Sequence, residues 1–117
     1  MSDVIVVDGV EYVPKTSTVP SVDGMEYKMV RTYRAGVFVG YVESRDGSTV
    51  VLRNARRIWY WEGAASLSQL AMEGTSKPDK CKFPCEVDRV ELLGVIEILD
   101  VTATAKKSID SVEIWKA

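Results

Sequence analysis

Short runs of apolar residues, many of them β-branched, alternate with polar turns along the chain and predict strands rather than long helices. Two such runs before residue 14 flank Asp8-Gly9, a pair that suits the tight turn of a β-hairpin. Residues 14–24 are rich in Ser, Thr, Pro and Val and are typical of a linker. The pattern therefore predicts an N-terminal hairpin and linker over residues 1–24, followed by a single domain over residues 25–117.

The body of the chain carries further strand patterns and two helical ones. The strand candidates are Tyr27 to Tyr33, Val37 to Glu43, Thr49 to Arg53, Ala55 to Trp61, Val87 to Leu99 (broken at Gly94) and Val112 to Trp115. The helix candidates are Ala64 to Glu73, which ends at Gly74, and Thr102 to Ile109, with Thr102 as its cap. The predicted fold class is α+β: mainly antiparallel β-sheet, with two short helices and an N-terminal β-hairpin.

Composition removes several classes of function. None of the 117 residues is histidine, so histidine-dependent catalysis and histidine-bearing metal sites are excluded. The two cysteines cannot complete a four-ligand zinc site, and no phosphate-binding or calcium-binding loop motif occurs. The net charge of -2 argues against a sequence-blind nucleic-acid binder. No membrane span or signal peptide is expected. A binding or structural protein without cofactor, metal or catalytic residues fits these exclusions best.

The segment Arg56-Arg57-Ile58-Trp59-Tyr60-Trp61 is the densest cationic and aromatic cluster. Arginine presents a fork of donors that matches phosphate oxygens, and an aromatic ring offers a face to a nucleobase. The segment therefore suits a nucleotide or a nucleic-acid strand, but it is more typical of a core strand with two arginines whose charged ends reach the solvent. We expect Arg31, Arg34 and Arg53, on neighbouring strand candidates, to converge on the same pocket.

Cys81-Lys82-Phe83-Pro84-Cys85 invites a redox or metal interpretation. The three-residue spacer is not the dithiol motif of oxidoreductases, so two reduced, partly buried cysteines that flank an ordered loop are the better prediction. Phe83 must either fill a gap in the core or present its face to something planar. Lys106 and Lys107 form a solvated helix face unless an anion binds beside them.

Several segments together resemble a known family. They are Val30 to Tyr33, Val37 to Tyr41, Leu52 to Trp61, Gly63 to Leu67, Gly74 to Ser76, Cys81 to Glu86 and Ala105 to Ile109. This pattern, from about Met25 to Trp115, resembles the phage Thoeris anti-defence protein 1 family. The most specific parts are the segment from Arg56 to Leu67 and the segment from Cys81 to Glu86, whereas residues 1–24 lie outside the resemblance.

The resemblance implies that residues 25–117 form a signal-binding domain. It implies a sponge that sequesters a cyclic ADP-ribose isomer, the signal of the Thoeris immune system, without degrading it, in the cytoplasm of the bacterial host. Cyclic di- or trinucleotide signals of the CBASS system are further possible ligands, at separate sites, and the expected assembly is a homodimer or hexamer. Phe83 is then expected to stack on the base, so that Phe83→Ala would abolish most cyclic ADP-ribose binding and leave the fold intact.

The remaining site residues also follow from the resemblance. Phosphate contacts are expected from Arg31, Arg34, Arg53, Arg56 and Arg57, with Trp59, Trp61, Lys106 and Lys107 as further ligand-binding candidates. The main alternative is a small single-stranded nucleic-acid-binding domain that uses the tryptophans and arginines along a sheet. A phosphodiesterase-like enzyme is the least favoured alternative, because no histidine and no convincing metal set is present.

Overall fold

A computed structural model describes residues 5–7, 10–12 and 17–117 of the chain. Its strands are Ile5–Val7 (β1), Val10–Tyr12 (β2), Tyr27–Thr32 (β3), Val37–Asp46 (β4), Thr49–Ile58 (β5), Val87–Leu92 (β6) and Val95–Asp100 (β7). The helices are Leu67–Glu73 (α1) and Ala103–Asp110 (α2), with a single 3₁₀ turn at Pro78–Lys80. None of the helices described here is long and apolar enough to cross a membrane.

The N-terminal segment differs in part from its prediction. Strands β1 and β2 pair with each other antiparallel, but the predicted turn at Asp8-Gly9 lies outside the described residues, so the hairpin as a unit stays a prediction. Of the predicted linker, residues 14–16 also lie outside the described part. From residue 17 onward the chain is attached to the body, because the Ser17 carbonyl accepts a 2.7 Å hydrogen bond from the amide of Ala103.

Five antiparallel strands form the main sheet in the order β6-β5-β4-β3-β7. The prediction of a mainly antiparallel sheet with two short helices is thereby confirmed. The two candidates on either side of Asn54 form one continuous strand, which ends at Ile58 rather than at the predicted Trp61 and in which Asn54 adopts a left-handed φ of 50°. The last candidate, Val112 to Trp115, is not a strand but contributes one isolated bridge, between Ile114 and Phe83.

The sheet is strongly curled, because only Leu93 and Gly94 connect β6 at one edge to β7 at the other. The amide of Tyr33 donates to the Gly94 carbonyl at 2.8 Å, and the amide of Val95 donates to the Ser48 carbonyl at 2.9 Å. Strand β4 bends through two register shifts. A Cβ at Gly40 would approach the Arg53 carbonyl oxygen to 3.0 Å, so any larger residue there would push β4 and β5 apart by a few tenths of an ångström.

Curling lets the sheet bury apolar side chains on both faces. One cluster lies inside the curl and includes Phe38 and Leu52, and a second lies between the sheet and the helices and includes Met29, Leu70 and Ile109. Since alternate residues of a strand point to opposite faces, neighbours such as Met29 and Val30 enter different clusters. The sheet therefore has two cores rather than one buried and one solvated face.

Both predicted helices form, but α1 begins at Leu67, three residues after the predicted start at Ala64, and α2 ends at Asp110, one residue after the predicted end at Ile109. The Ser66 side chain accepts from the amide of Gln69 at 3.1 Å and caps α1, which ends at Gly74. The Thr102 hydroxyl accepts from the amide of Ala105 at 3.0 Å and caps α2. The Thr102 hydroxyl also donates to the Met72 carbonyl at 2.7 Å, so the cap of α2 is bonded to the last turn of α1.

Candidate ligand-binding surface

The predicted arginine pocket does not form. Arg31 on β3 pairs with Glu97 on β7 at 3.0 Å, and Arg53 on β5 pairs with Glu43 on β4 at 3.2 Å. Arg34 lies in the turn after β3, with its guanidinium 5.9 Å from the centre of the Tyr33 ring. The expectation that Arg31, Arg34 and Arg53 converge on one pocket is corrected here, because two of the three are held by carboxylates on different strands.

Arg57 also lies apart from the other candidates. Its guanidinium is 4.3 Å from the centre of the Phe38 ring and donates to the Ala35 carbonyl at 2.6 Å. Both contacts belong to the part of the structure where β3 turns into β4. The Arg57 side chain therefore stabilises that turn, and its donors are partly occupied before any ligand arrives.

Arg56 is a buried structural residue. Its side chain is 8% exposed and donates to four backbone carbonyls. The acceptors and donor–acceptor distances are Pro84 (3.0 Å), Ile109 (3.0 Å), Phe83 (3.1 Å) and Val112 (2.7 Å). Burial lowers the pKa of Arg56, and Asp110 opposes this shift. An arginine nevertheless stays protonated in a protein. The donors of this cation are therefore occupied by the loop at 83–84 and by the end of α2.

Phe83 has no exposed area and belongs to the core between the sheet and the helices. The Arg56 guanidinium lies 5.5 Å from the centre of its ring. This burial conflicts with the expectation that Phe83 stacks on a ligand base, since no face of the ring is free. Of the two alternatives for Phe83, the structure supports the one in which its ring fills a gap in the core.

The exposed aromatic residues gather elsewhere, at the end of β5 and the C-terminus. Trp59 and Trp115 are 60% and 45% exposed, and their rings are stacked with centres 6.3 Å apart and planes within 9°. Tyr60 is 44% exposed. The Lys82 ammonium lies 5.7 Å from the Tyr60 ring centre and 5.6 Å from that of Trp115. We call Trp59, Tyr60, Lys82 and Trp115 the aromatic surface.

Three extended backbone segments place these side chains side by side. Tyr60 forms an antiparallel bridge with Lys82, and Phe83 forms a parallel bridge with Ile114. The amide of Lys82 donates to the Tyr60 carbonyl at 2.8 Å, and the amide of Trp115 donates to the Phe83 carbonyl at 3.0 Å. The segment at 82–83 is thus the middle of the three. Its Phe83 side chain lies in the core, and its Lys82 side chain lies among the exposed rings.

The charges around the aromatic surface are mixed. None of the ion pairs within residues 17–117 involves Lys82, so its ammonium group is available to an anion. The Tyr60 hydroxyl donates to Glu62 at 2.9 Å, which raises the pKa of Tyr60. Beside Trp115 lies a recess of about 430 Å³ that includes the carboxyl groups of Asp79 and Glu113. An anionic group is therefore favoured at Lys82 and disfavoured in the recess.

The remaining predicted residues lie outside this surface or at its margin. Trp61 is half-buried against the core between sheet and helices. Lys106 pairs with Asp110 at 2.6 Å and lies 5.1 Å from the Tyr27 ring centre, while Lys107 is exposed on α2. Of the predicted set, the structure therefore places Trp59 in the aromatic surface, whereas sequence reasoning missed Tyr60, Lys82 and Trp115. The sequence offered a signal for two of them, because Tyr60 lies in the strand candidate Ala55 to Trp61 and Trp115 ends the candidate Val112 to Trp115. Lys82, in a predicted loop, gave no such signal.

These features define a small, mostly β domain with an exposed stacked tryptophan pair and a free cation beside it. Across the described residues no group of three or more Cys, Asp or Glu is placed to hold a metal ion. Residues 25–109 match the family model described as "Domain of unknown function (DUF6948)", and the chain belongs to that family. No curated protein and no solved structure matches the chain.

Proposed function

We propose that this protein is a non-catalytic sponge for a small cyclic nucleotide of the cyclic ADP-ribose type, the signal of the Thoeris immune system. The proposal places the protein in the cytoplasm of the infected bacterium. Two things support it: the resemblance of residues 25–115 to Thoeris anti-defence proteins, and an aromatic surface whose chemistry suits a nucleotide. The absence of histidine from the sequence supports binding without catalysis.

The observation that carries the proposal is the stacked, exposed pair of Trp59 and Trp115 beside the Lys82 ammonium. Two large rings exposed to water are costly unless something covers them, and a nucleobase stacks well on an indole. The ammonium group supplies the complementary charge for a phosphate. In this arrangement the base lies on the tryptophan pair and the pyrophosphate lies at Lys82.

The affinity that a sponge needs requires a more enclosed site than one exposed face. Nanomolar binding corresponds to about -12 kcal/mol, and a stacked base supplies only ~1–3 kcal/mol. For a ligand of roughly 35 non-hydrogen atoms, an efficiency of about -0.3 kcal/mol per atom gives about -10 kcal/mol when the whole ligand is buried. The proposal therefore includes closure of the aromatic surface by a second copy of the chain, in a homodimer or hexamer.

A second ligand class is part of the proposal. Cyclic di- or trinucleotides of the CBASS system would need a separate anionic site, and Arg34 is the best candidate for it. Arg34 lines a groove of about 500 Å³ together with Tyr33, Leu93 and Glu91, and no ion pair in the described residues involves Arg34.

A single-stranded nucleic-acid-binding domain remains the second candidate, because exposed tryptophans beside a lysine also suit consecutive bases of a strand. The two functions differ in their dependence on salt. A polymer contacts several phosphates and releases counterions, so its affinity falls steeply with salt concentration, whereas a single small ligand gives a shallow slope.

The test is calorimetric titration of the protein with cyclic ADP-ribose isomers, cyclic oligonucleotides and an oligodeoxythymidine, each at low and high salt. The sponge predicts tight binding of one cyclic ADP-ribose isomer with a shallow salt slope. Trp59→Ala should weaken this binding by about five- to more than a hundredfold, the effect of one lost base-stacking ring. Tyr33→Ala, which removes an exposed aromatic residue outside the aromatic surface, should bind cyclic ADP-ribose like the unmodified protein. Tight binding of the oligodeoxythymidine alone would favour the second candidate instead.

A further inference from the structure

The segment after α2 carries half of the stacked tryptophan pair but has few bonds of its own. Val112 is buried, and the amide of Trp115 donates to the Phe83 carbonyl at 3.0 Å. The Ile114 side chain is exposed, and the bridge between Ile114 and Phe83 is isolated rather than part of a sheet. The position of Trp115 therefore depends on what fixes the backbone around Val112 and Phe83.

Arg56 fixes both of these points at once. One nitrogen of its guanidinium, Nη2, donates to the carbonyls of Phe83 at 3.1 Å and of Val112 at 2.7 Å. The same side chain donates to the Ile109 carbonyl through Nη1 and to the Pro84 carbonyl through Nε. A single rigid, planar group thus connects the middle segment of the aromatic surface to the segment that carries Trp115.

The charge of Arg56 is stabilised by backbone carbonyls and, without a direct ion pair, by the charge of Asp110. None of the ion pairs recorded for residues 17–117 involves Arg56, and all four of its bonds within that range go to backbone oxygens. The Ile109 carbonyl lies in the last turn of α2, where the helix dipole favours a cation. Lysine has three donors on a flexible stem and cannot reproduce the planar fork.

We propose that Arg56 is the positioning residue of the aromatic surface: it holds Trp115 parallel to Trp59 before any ligand binds. Only the consequence for binding rests on the proposed function; the positioning itself is a property of the free protein. Pre-ordering the pair removes the conformational cost of assembling it at the moment of binding. Loss of Arg56 should therefore weaken binding although its side chain touches no ligand.

The test compares Arg56→Lys with Arg89→Lys, a matched change at an exposed arginine that pairs with Glu43. The first readout is the exciton couplet of stacked indoles in far-ultraviolet circular dichroism, which disappears when Trp115 leaves Trp59. The second is the affinity for cyclic ADP-ribose. Arg56→Lys should lose the couplet and weaken binding about tenfold or more, approaching the loss expected for one stacking ring. Arg89→Lys should change neither. A folded Arg56→Lys protein with the original couplet and affinity would overturn the proposal.

A second variant keeps the test decisive if Arg56→Lys fails to fold. Replacing Glu113 by its hydroxy-acid analogue through semisynthesis turns the Val112 carbonyl into an ester carbonyl, a weaker acceptor, and leaves the other three bonds of Arg56 in place. A weaker couplet supports the positioning role, and an unchanged couplet contradicts it. If the unmodified protein binds no cyclic ADP-ribose, the proposed function fails, while the couplet still decides the role of Arg56.

Discussion

Replacing Phe83 by alanine should destabilise the fold rather than remove a ligand contact. The ring has no exposed area, and the Arg56 guanidinium lies 5.5 Å from its centre. A buried Phe→Ala change costs about 3–5 kcal/mol, because transfer free energy is lost and a cavity remains. A domain of this size is stable by about 5–15 kcal/mol, so the loss is a large fraction of the total.

The assay is urea and thermal unfolding of Phe83→Ala, with Trp59→Ala as the control. At roughly 3–5 °C per kcal/mol for a chain of this length, Phe83→Ala should melt about 10–20 °C below the unmodified protein. Trp59 is 60% exposed, and its loss should cost only about 0.5–1.5 kcal/mol of ring stacking. If Phe83→Ala melted no lower than Trp59→Ala but no longer bound ligand, the ring would be a ligand contact and the account of the core would be refuted.

Two further predictions concern stability. Burial raises the pKa of the Tyr27 phenol far above its usual value of about 10. The unfolded chain then loses that proton above about pH 10 while the folded chain keeps it, so stability falls there by up to about 1.4 kcal/mol per pH unit. Urea unfolding between about pH 9 and pH 11 should show this fall in the free energy of unfolding for the unmodified protein and a smaller fall for Tyr27→Phe. Equal falls in the two proteins would contradict the raised pKa of Tyr27. Gly74 has φ +80° and ψ -157°, a region essentially restricted to glycine, and a Cβ there would collide with the Ser108 side chain, so Gly74→Ala should cost more than the ~1–3 kcal/mol of backbone strain alone. Gly47→Ala, at φ +59° with open space, is the control for a positive φ without a collision, and equal melting temperatures of the two variants would contradict the collision.

Features set by neighbouring residues could be predicted from the sequence. Thr102 and Gly74 signal one end of each helix, because capping is a matter of three or four adjacent positions. Gly94 likewise marks the break between β6 and β7. The pattern of apolar residues was enough for the class of fold, an antiparallel sheet with two short helices.

Features set by distant residues could not be predicted in this way. Arg56 and Val112 are 56 positions apart, and no local pattern indicates that one donates to the carbonyl of the other. The curl of the sheet also depends on non-local bonds, such as that between Val95 and Ser48. For this reason the arginine pocket expected from the strand candidates was not found, and the aromatic surface was missed.

The central claim is that the protein holds a cyclic ADP-ribose-type signal intact. The most direct measurement is to incubate a fixed amount of protein with excess cyclic ADP-ribose isomer, denature the protein with heat, and quantify the released small molecules by chromatography. The account predicts depletion of free ligand that saturates at no more than one molecule per chain, since each chain carries one Trp59–Trp115 pair, and complete recovery of unaltered ligand afterwards. Time-dependent loss of ligand beyond the number of chains would show turnover, and no depletion at all would show that the protein is not a sponge for this signal.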